Sequence, residues 1–197
     1  MAVVTHRAAS ASVSAPHRQH GFSLVEVSIV TAIVLLLAII GLPAIGSYVV
    51  ENKVPKVGEE LARFIMQTQV NAPNGSATPY AGIGTDNLAR LVRDSSIFSV
   101  SGDGSGSRVL HGLGLDGEAI VEEALAGAAF TITLSNVNHA ACPSIASIMQ
   151  RVSDVITIAS EGQAATIVKD ASTRYSALST ESRCVKGDVN TFVFTAS

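Results

Sequence analysis

Twenty-four consecutive residues, Val27 to Val50, carry no charge. They read VSIVTAIVLLLAIIGLPAIGSYVV. As a helix rising 1.5 Å per residue, the run would be about 36 Å long, enough to cross a hydrocarbon layer of about 30 Å. The competing reading is a buried core helix, which would need other chain wrapped around every face. A membrane segment fits the run better.

The flanks of the run set its orientation. MAVVTHRAASASVSAPHRQHG, residues 1–21, holds Arg7, Arg18 and three histidines, with no acid. This is a basic leader, and the positive-inside tendency places it on the cytoplasmic side. The rest of the chain is then expected on the other side. Without the leader it carries 11 basic and 16 acidic side chains, a formal charge of −5. That balance argues against nucleic acid or anionic lipid as a partner.

Between leader and run stands HGFSLVEV, with one carboxylate, Glu26. On insertion scales a charge at the middle of a membrane costs about 2.5–3.5 kcal/mol, and a paired one near a helix end costs less. The acid therefore calls for a partner.

Beyond Val50 charges return, but Val54, Val57, Leu61, Phe64, Ile65 and Val70 recur at helical spacing. The helix is expected to continue as an amphipathic one to about residue 72, with Pro43, Pro55 and Gly58 bending or loosening it. Residues 73–197 then form a separate head. Pro73 to Asn87 is a loop by composition, and Leu88 to Val92 a short helical turn. SIFSV, RVLHGL, AFTITLSNV, ITIASEG, AATIV and NTFVFTAS read as strands. Cys142 to Val155 reads as a short amphipathic helix with Pro143 in its first turn. AIVEEALAG is ambiguous. The last strand, ending the sequence, reads either as an edge or as a late insertion into the sheet. The fold class is α+β: a long N-terminal hydrophobic helix packed on a C-terminal antiparallel sheet of four to six strands.

Two cysteines, Cys142 and Cys184, lie on the side expected to be oxidising, and an even count there favours a disulfide. Closing the loop between them is worth about 4 kcal/mol in the chain-entropy model. A metal site built from His111, His139, Cys142 and Cys184 is the alternative, although the spacing fits no familiar zinc pattern. Gly112-Leu113-Gly114-Leu115-Asp116-Gly117 matches a dinucleotide fingerprint in form, but no acid follows about 20 residues on and no βαβ unit fits. No G-x-S-x-G elbow is present for a hydrolase. Neither catalysis nor a cofactor is expected.

The opening motif resembles that of type IV prepilins and the related pseudopilins. Gly21 ends the basic leader, the aromatic Phe22 follows, Glu26 stands fifth from Phe22, and an uninterrupted apolar helix begins. Pro43 falls where many family members bend. The resemblance implies that a prepilin peptidase cuts between Gly21 and Phe22 and methylates the Phe22 amine. Glu26 would compensate that amine, in its own chain or a neighbour's, and set the register of packed helices. FTITLSNVNHAACPSIASI and the second cysteine before a final strand resemble the heads of type IVb pilins, the branch that includes conjugative thin-pilus pilins. The implied partners are further copies of the chain in a filament, the peptidase, an inner-membrane assembly platform and minor pilins. The implied location is the bacterial inner membrane first and an extracellular pilus afterwards. A minor pilin, a type II secretion pseudopilin and a signal-anchored extracytoplasmic enzyme are the alternatives.

Overall fold

The computed structural model describes residues 23–197, apart from the side chains of residues 42–45. Two compact units divide the chain, Met1–Gly41 and Leu42–Ser197. Helix α1 (Leu24–Asn71) begins in the first and ends in the second.

In the second unit α1 is a core element. Val54, Val57, Leu61, Phe64 and Ile65 are buried, the stripe that their three- and four-residue steps dictate. Val70, expected in the same stripe, is 83% exposed. It lies five residues beyond Ile65, about 140° around the helix, and so faces away. The helix stops at Asn71, two residues short of Pro73, which disfavours helical backbone at Ala72.

The head follows as α2 (Thr85–Val92), a small antiparallel pair of β1 (Ser99–Ser101) and β2 (Arg108–Leu110), then β3 (Ala119–Ala124), β4 (Ala129–Asn138), α3 (Cys142–Met149), β5 (Val155–Ser160), β6 (Gln163–Lys169), α4 (Ala177–Glu181) and β7 (Asp188–Ala196). The main sheet has five strands in the order β3-β4-β7-β5-β6, every pair antiparallel. The final strand is therefore central, inserted between β4 and β5. Its alternation explains the place: Asn190, Phe192, Phe194 and Ala196 are buried while the residues between them are half-buried.

Register aligns the core across three strands. Ile132 of β4 and Ile156 of β5 both oppose Phe194, and Leu134 and Ile158 both oppose Phe192. The sheet meets α1 through aromatic contacts. Phe64 stands edge-on to Phe130 at 6.2 Å, and Tyr80 lies 5.0 Å from the same ring. Such pairs add about 0.5–1.5 kcal/mol beyond their buried area.

Three elements differ from the sequence expectation. The ambiguous AIVEEALAG is strand β3 followed by a 3-10 turn, because pairing with β4 outweighs helix propensity at Glu122 and Glu123. Helix α3 ends at Met149 rather than Val155, and the Lys169 ammonium donates to the carbonyls of Gln150 and Ser153 beyond its end. Helix α2 starts three residues early, with the Gly84 amide donating to Asn87 Oδ1 at 2.9 Å.

Candidate assembly segment

Residues at the start of α1 determine where the apolar helix begins. Ser23 precedes it; its carbonyl accepts from the Val27 amide at 3.1 Å, and its Oγ lies 3.4 Å from the Val25 amide nitrogen, which donates to it. Serine is a strong N-cap because it fills one of the four donors a helix start leaves unpaired. Glu26 is the third helical residue, the place where a capping box puts its acid and where the helix dipole favours one. Sequence reasoning missed this cap, although Ser23-Leu24-Val25-Glu26 displays the S-x-x-E spacing. The local role stands beside the expected one in register. Among the described residues, Glu26 makes no ion pair. Gly21 and Phe22, the expected cleavage pair, lie outside the described residues.

The helix beyond presents apolar side chains on all sides. Leu24 is 89% exposed, and Val30, Ile33, Leu36, Leu37 and Ile40 are each more than half exposed. A helix apolar all round belongs in lipid or against other helices. The hydroxyls of Ser28 and Thr31 ask nothing of their surroundings: Ser28 Oγ donates to the Val25 carbonyl and Thr31 Oγ1 to the Val27 carbonyl, both at 2.8 Å. The helix therefore meets an apolar medium with those donors already satisfied. Pro43 lies inside α1, which is helical on both sides of it, and its side chain is outside the described ones.

The two cysteines come together. Cys142 and Cys184 form a disulfide with Cα atoms 6.1 Å apart, joining the first residue of α3 to the segment between α4 and β7. With both sulfurs bonded to each other, the four-residue metal alternative loses its thiolates. His111 is engaged by main-chain groups instead, its ring nitrogens meeting the Leu113 amide and the Ser135 carbonyl. Among the described residues no cluster of three or more His, Cys, Asp or Glu is placed to hold a metal.

The prokaryotic N-terminal methylation motif matches residues 16–42, and the family described as PilS N terminal matches residues 116–197. The chain is a type IV pilin. The first match covers the start of the pilin's apolar helix and the second all five strands of its main sheet, from just before β3 through β7. No curated protein matches the pilin. Among solved structures it is similar to the type IVb pilin from Salmonella typhi, at 23% identity over 71% of this chain and 94% of that one, with a TM-score of 0.49. It is also similar to TcpA, a type IV pilin from Vibrio cholerae El Tor, at 12% identity over 75% of this chain and 99% of that one, with a TM-score of 0.43. The pilin is a structural subunit of a pilus and not an enzyme. Pilin assembly is homo-oligomeric, and the methylation motif is the one a prepilin peptidase processes.

Proposed function

We propose that this pilin is the major, shaft-forming subunit of a type IVb, thin-pilus-like filament. The prepilin waits in the bacterial inner membrane with leader residues 1–21 in the cytoplasm. A prepilin peptidase cuts between Gly21 and Phe22 and methylates the new Phe22 amine. An inner-membrane platform then draws the chain into an extracellular fibre alongside minor pilins. In the fibre, Glu26 of one helix compensates a Phe22 amine and sets the register, and Pro43 bends α1 to suit the packing. One observation carries the reading: the stretch of α1 from Leu24 to Ile40 is apolar on every side, and its one charge is Glu26 in the first turn. Such a surface needs cover from lipid or from identical helices. In a helix bundle of low dielectric an unpaired carboxylate is far costlier than a paired one. The PilS match over the head and the placing of Cys142 and Cys184 around α3 and β7 support the IVb branch.

Two measurements test it. Amino-terminal sequencing of protein from filaments is expected to begin with methylated Phe22; an intact leader, or a start at Ser47, overturns the reading. Glu26→Ala and Glu26→Gln are then compared. Glutamine keeps the reach needed for the helix cap and loses only the charge. Both variants are expected to insert and be cleaved, and both to lose most filament yield, about tenfold or more. Wild-type yield from the glutamine variant alone would reduce Glu26 to a cap. Wild-type yield from both removes it from assembly.

A further inference from the structure

The glycine-rich stretch rejected as a nucleotide fingerprint closes on a buried histidine. His111 has no exposed surface. Its Nδ1 accepts from the Leu113 amide at 3.0 Å, and its Nε2 lies 2.9 Å from the Ser135 carbonyl oxygen. A carbonyl only accepts, so Nε2 carries the proton and the ring is the neutral Nε2–H tautomer. A bulge places that carbonyl: the β4–β7 register shifts between Leu134 and Val137, and Asn136 takes a φ of 51°. Around the ring the loop fits without slack. A Cβ on Gly117 would overlap His111 Cε1, and one on Gly114 would overlap the Asn136 carbonyl oxygen. The loop is tied down at three further points. The His111 amide donates to Gly117 O at 3.0 Å, the Asn138 amide to Leu113 O at 2.8 Å, and the Leu115 amide to Asp188 Oδ2 at 2.9 Å.

We propose that His111 is an acid-opened latch: a proton taken from solvent on Nδ1 turns the acceptor facing the Leu113 amide into a donor, and the Gly112–Gly117 loop releases from β4. Two N–H groups would then point at each other in a space with no room for water between them. The surrounding charges do not rescue the imidazolium. From α1, Lys53 Nζ sits 3.3 Å from where a Gly112 Cβ would stand, a cation on the loop's flank. Arg108 of β2 and Glu118 at the entry to β3 pair with each other at 3.2 Å. Asp188 of β7 is occupied by the Leu115 amide and Asn138 Nδ2, and Asp116 lies in the loop itself. Both ring nitrogens meet main-chain groups, and neither meets a carboxylate.

Burial pushes the His111 imidazole below its ordinary 6.5, and the Ser135 carbonyl raises it by less. Above pH 6.5 neither the closed nor the opened loop holds an extra proton, so the latch keeps its full strength. Below 6.5 only the opened loop takes the proton, and its population rises by up to about tenfold per pH unit until the closed-state value is reached. The test is hydrogen exchange, read as protection factors, on full-length pilin in detergent micelles between pH 7.5 and 5.0. The peptide spanning 111–117 is expected to lose protection by up to about tenfold per pH unit below 6.5 while β7 keeps its own. His111→Gln, neutral throughout, is expected to flatten the response. A pH-independent loop, equal loss in loop and β7, or an unchanged response in His111→Gln overturns the latch. If the glutamine variant does not fold, the wild-type comparison of loop with β7 still decides.

Discussion

Asn190 shows how one polar side chain organises the closing part of the head. It is fully buried on the inward face of β7. Its Oδ1 accepts from Ser160 Oγ and from the Val185 amide, both at 2.8 Å; its Nδ2 donates to the Val137 carbonyl at 3.0 Å and the Val185 carbonyl at 2.9 Å. All four positions of the amide are filled. Asn190→Ala removes four bonds at once: Ser160 Oγ can still donate to the Arg183 carbonyl, but the Val137 carbonyl and both main-chain groups of half-buried Val185 lose the amide, and removing one side of such a network costs more than a single bond is worth. The head is expected to lose about 3 kcal/mol, read as a thermal midpoint lowered by several degrees under oxidising conditions. Asn190→Asp, which supplies acceptors where two carbonyls need donors, is expected to do no better; a midpoint within a degree of wild type in both would refute the network. Sequence pattern places residue 190 on the inward face but says nothing of its partners, because they lie on three different segments. His111 was hidden for the same reason. Its role depends on a bulge at residues 135–136, which no spacing within 111–117 announces. Glu26, by contrast, was legible at once, since its oddity lies in its own neighbours along the chain.

Among the elements, α1 was the most legible and its details the least. Its existence and its end, expected at about residue 72 and found at Asn71, follow from local pattern. What pattern does not reveal is which helix residues face a neighbour at close range. Gly58 reads as a loosening point, yet α1 is helical through it, and its want of a side chain serves packing on α3: an added Cβ would stand 2.7 Å from Ile148 Cγ2. Two effects then compete in Gly58→Ala. Helix propensity favours alanine by about 1 kcal/mol, while overpacking against a branched side chain costs about 1–3 kcal/mol. Ile148 cannot swing its β-branch clear, so the clash is expected to win by about 1 kcal/mol. Combining Gly58→Ala with Ile148→Ala removes Cγ2 and should recover part of the loss, a coupling of about 1 kcal/mol in a double-mutant cycle of melting curves. Strict additivity would mean that the two residues do not constrain each other.

For the whole molecule the question is how much of α1 the head requires. The strand content was readable from alternation, but strand order was not, because β7 joins the sheet between β4 and β5 through contacts far apart in sequence. Such non-local pairing is what single-segment patterns leave undetermined. The division of α1 was readable, since the uncharged run and the amphipathic stripe are different patterns on one continuous helix. Nothing from Leu24 to Ile40 is buried, whereas Val54 is 1% exposed and the core continues through Ile65. A chain beginning at Tyr48 keeps that entire stripe and the Cys142–Cys184 bridge, and it discards the surface that needs lipid or a neighbour. Its new helix start would carry Glu51 in the first turn, where the dipole favours an acid, and fraying there would stop short of Val54. This truncated chain is expected to be monomeric in water without detergent, with a cooperative melt within about 5 °C of the full-length head in micelles. Aggregation, or loss of the cooperative transition, would show that the exposed half of α1 stabilises the head as well as the filament. A soluble monomer with an unchanged melt would separate the two duties: residues up to about 47 serve the membrane and the fibre, and those from Val54 onward hold the head together.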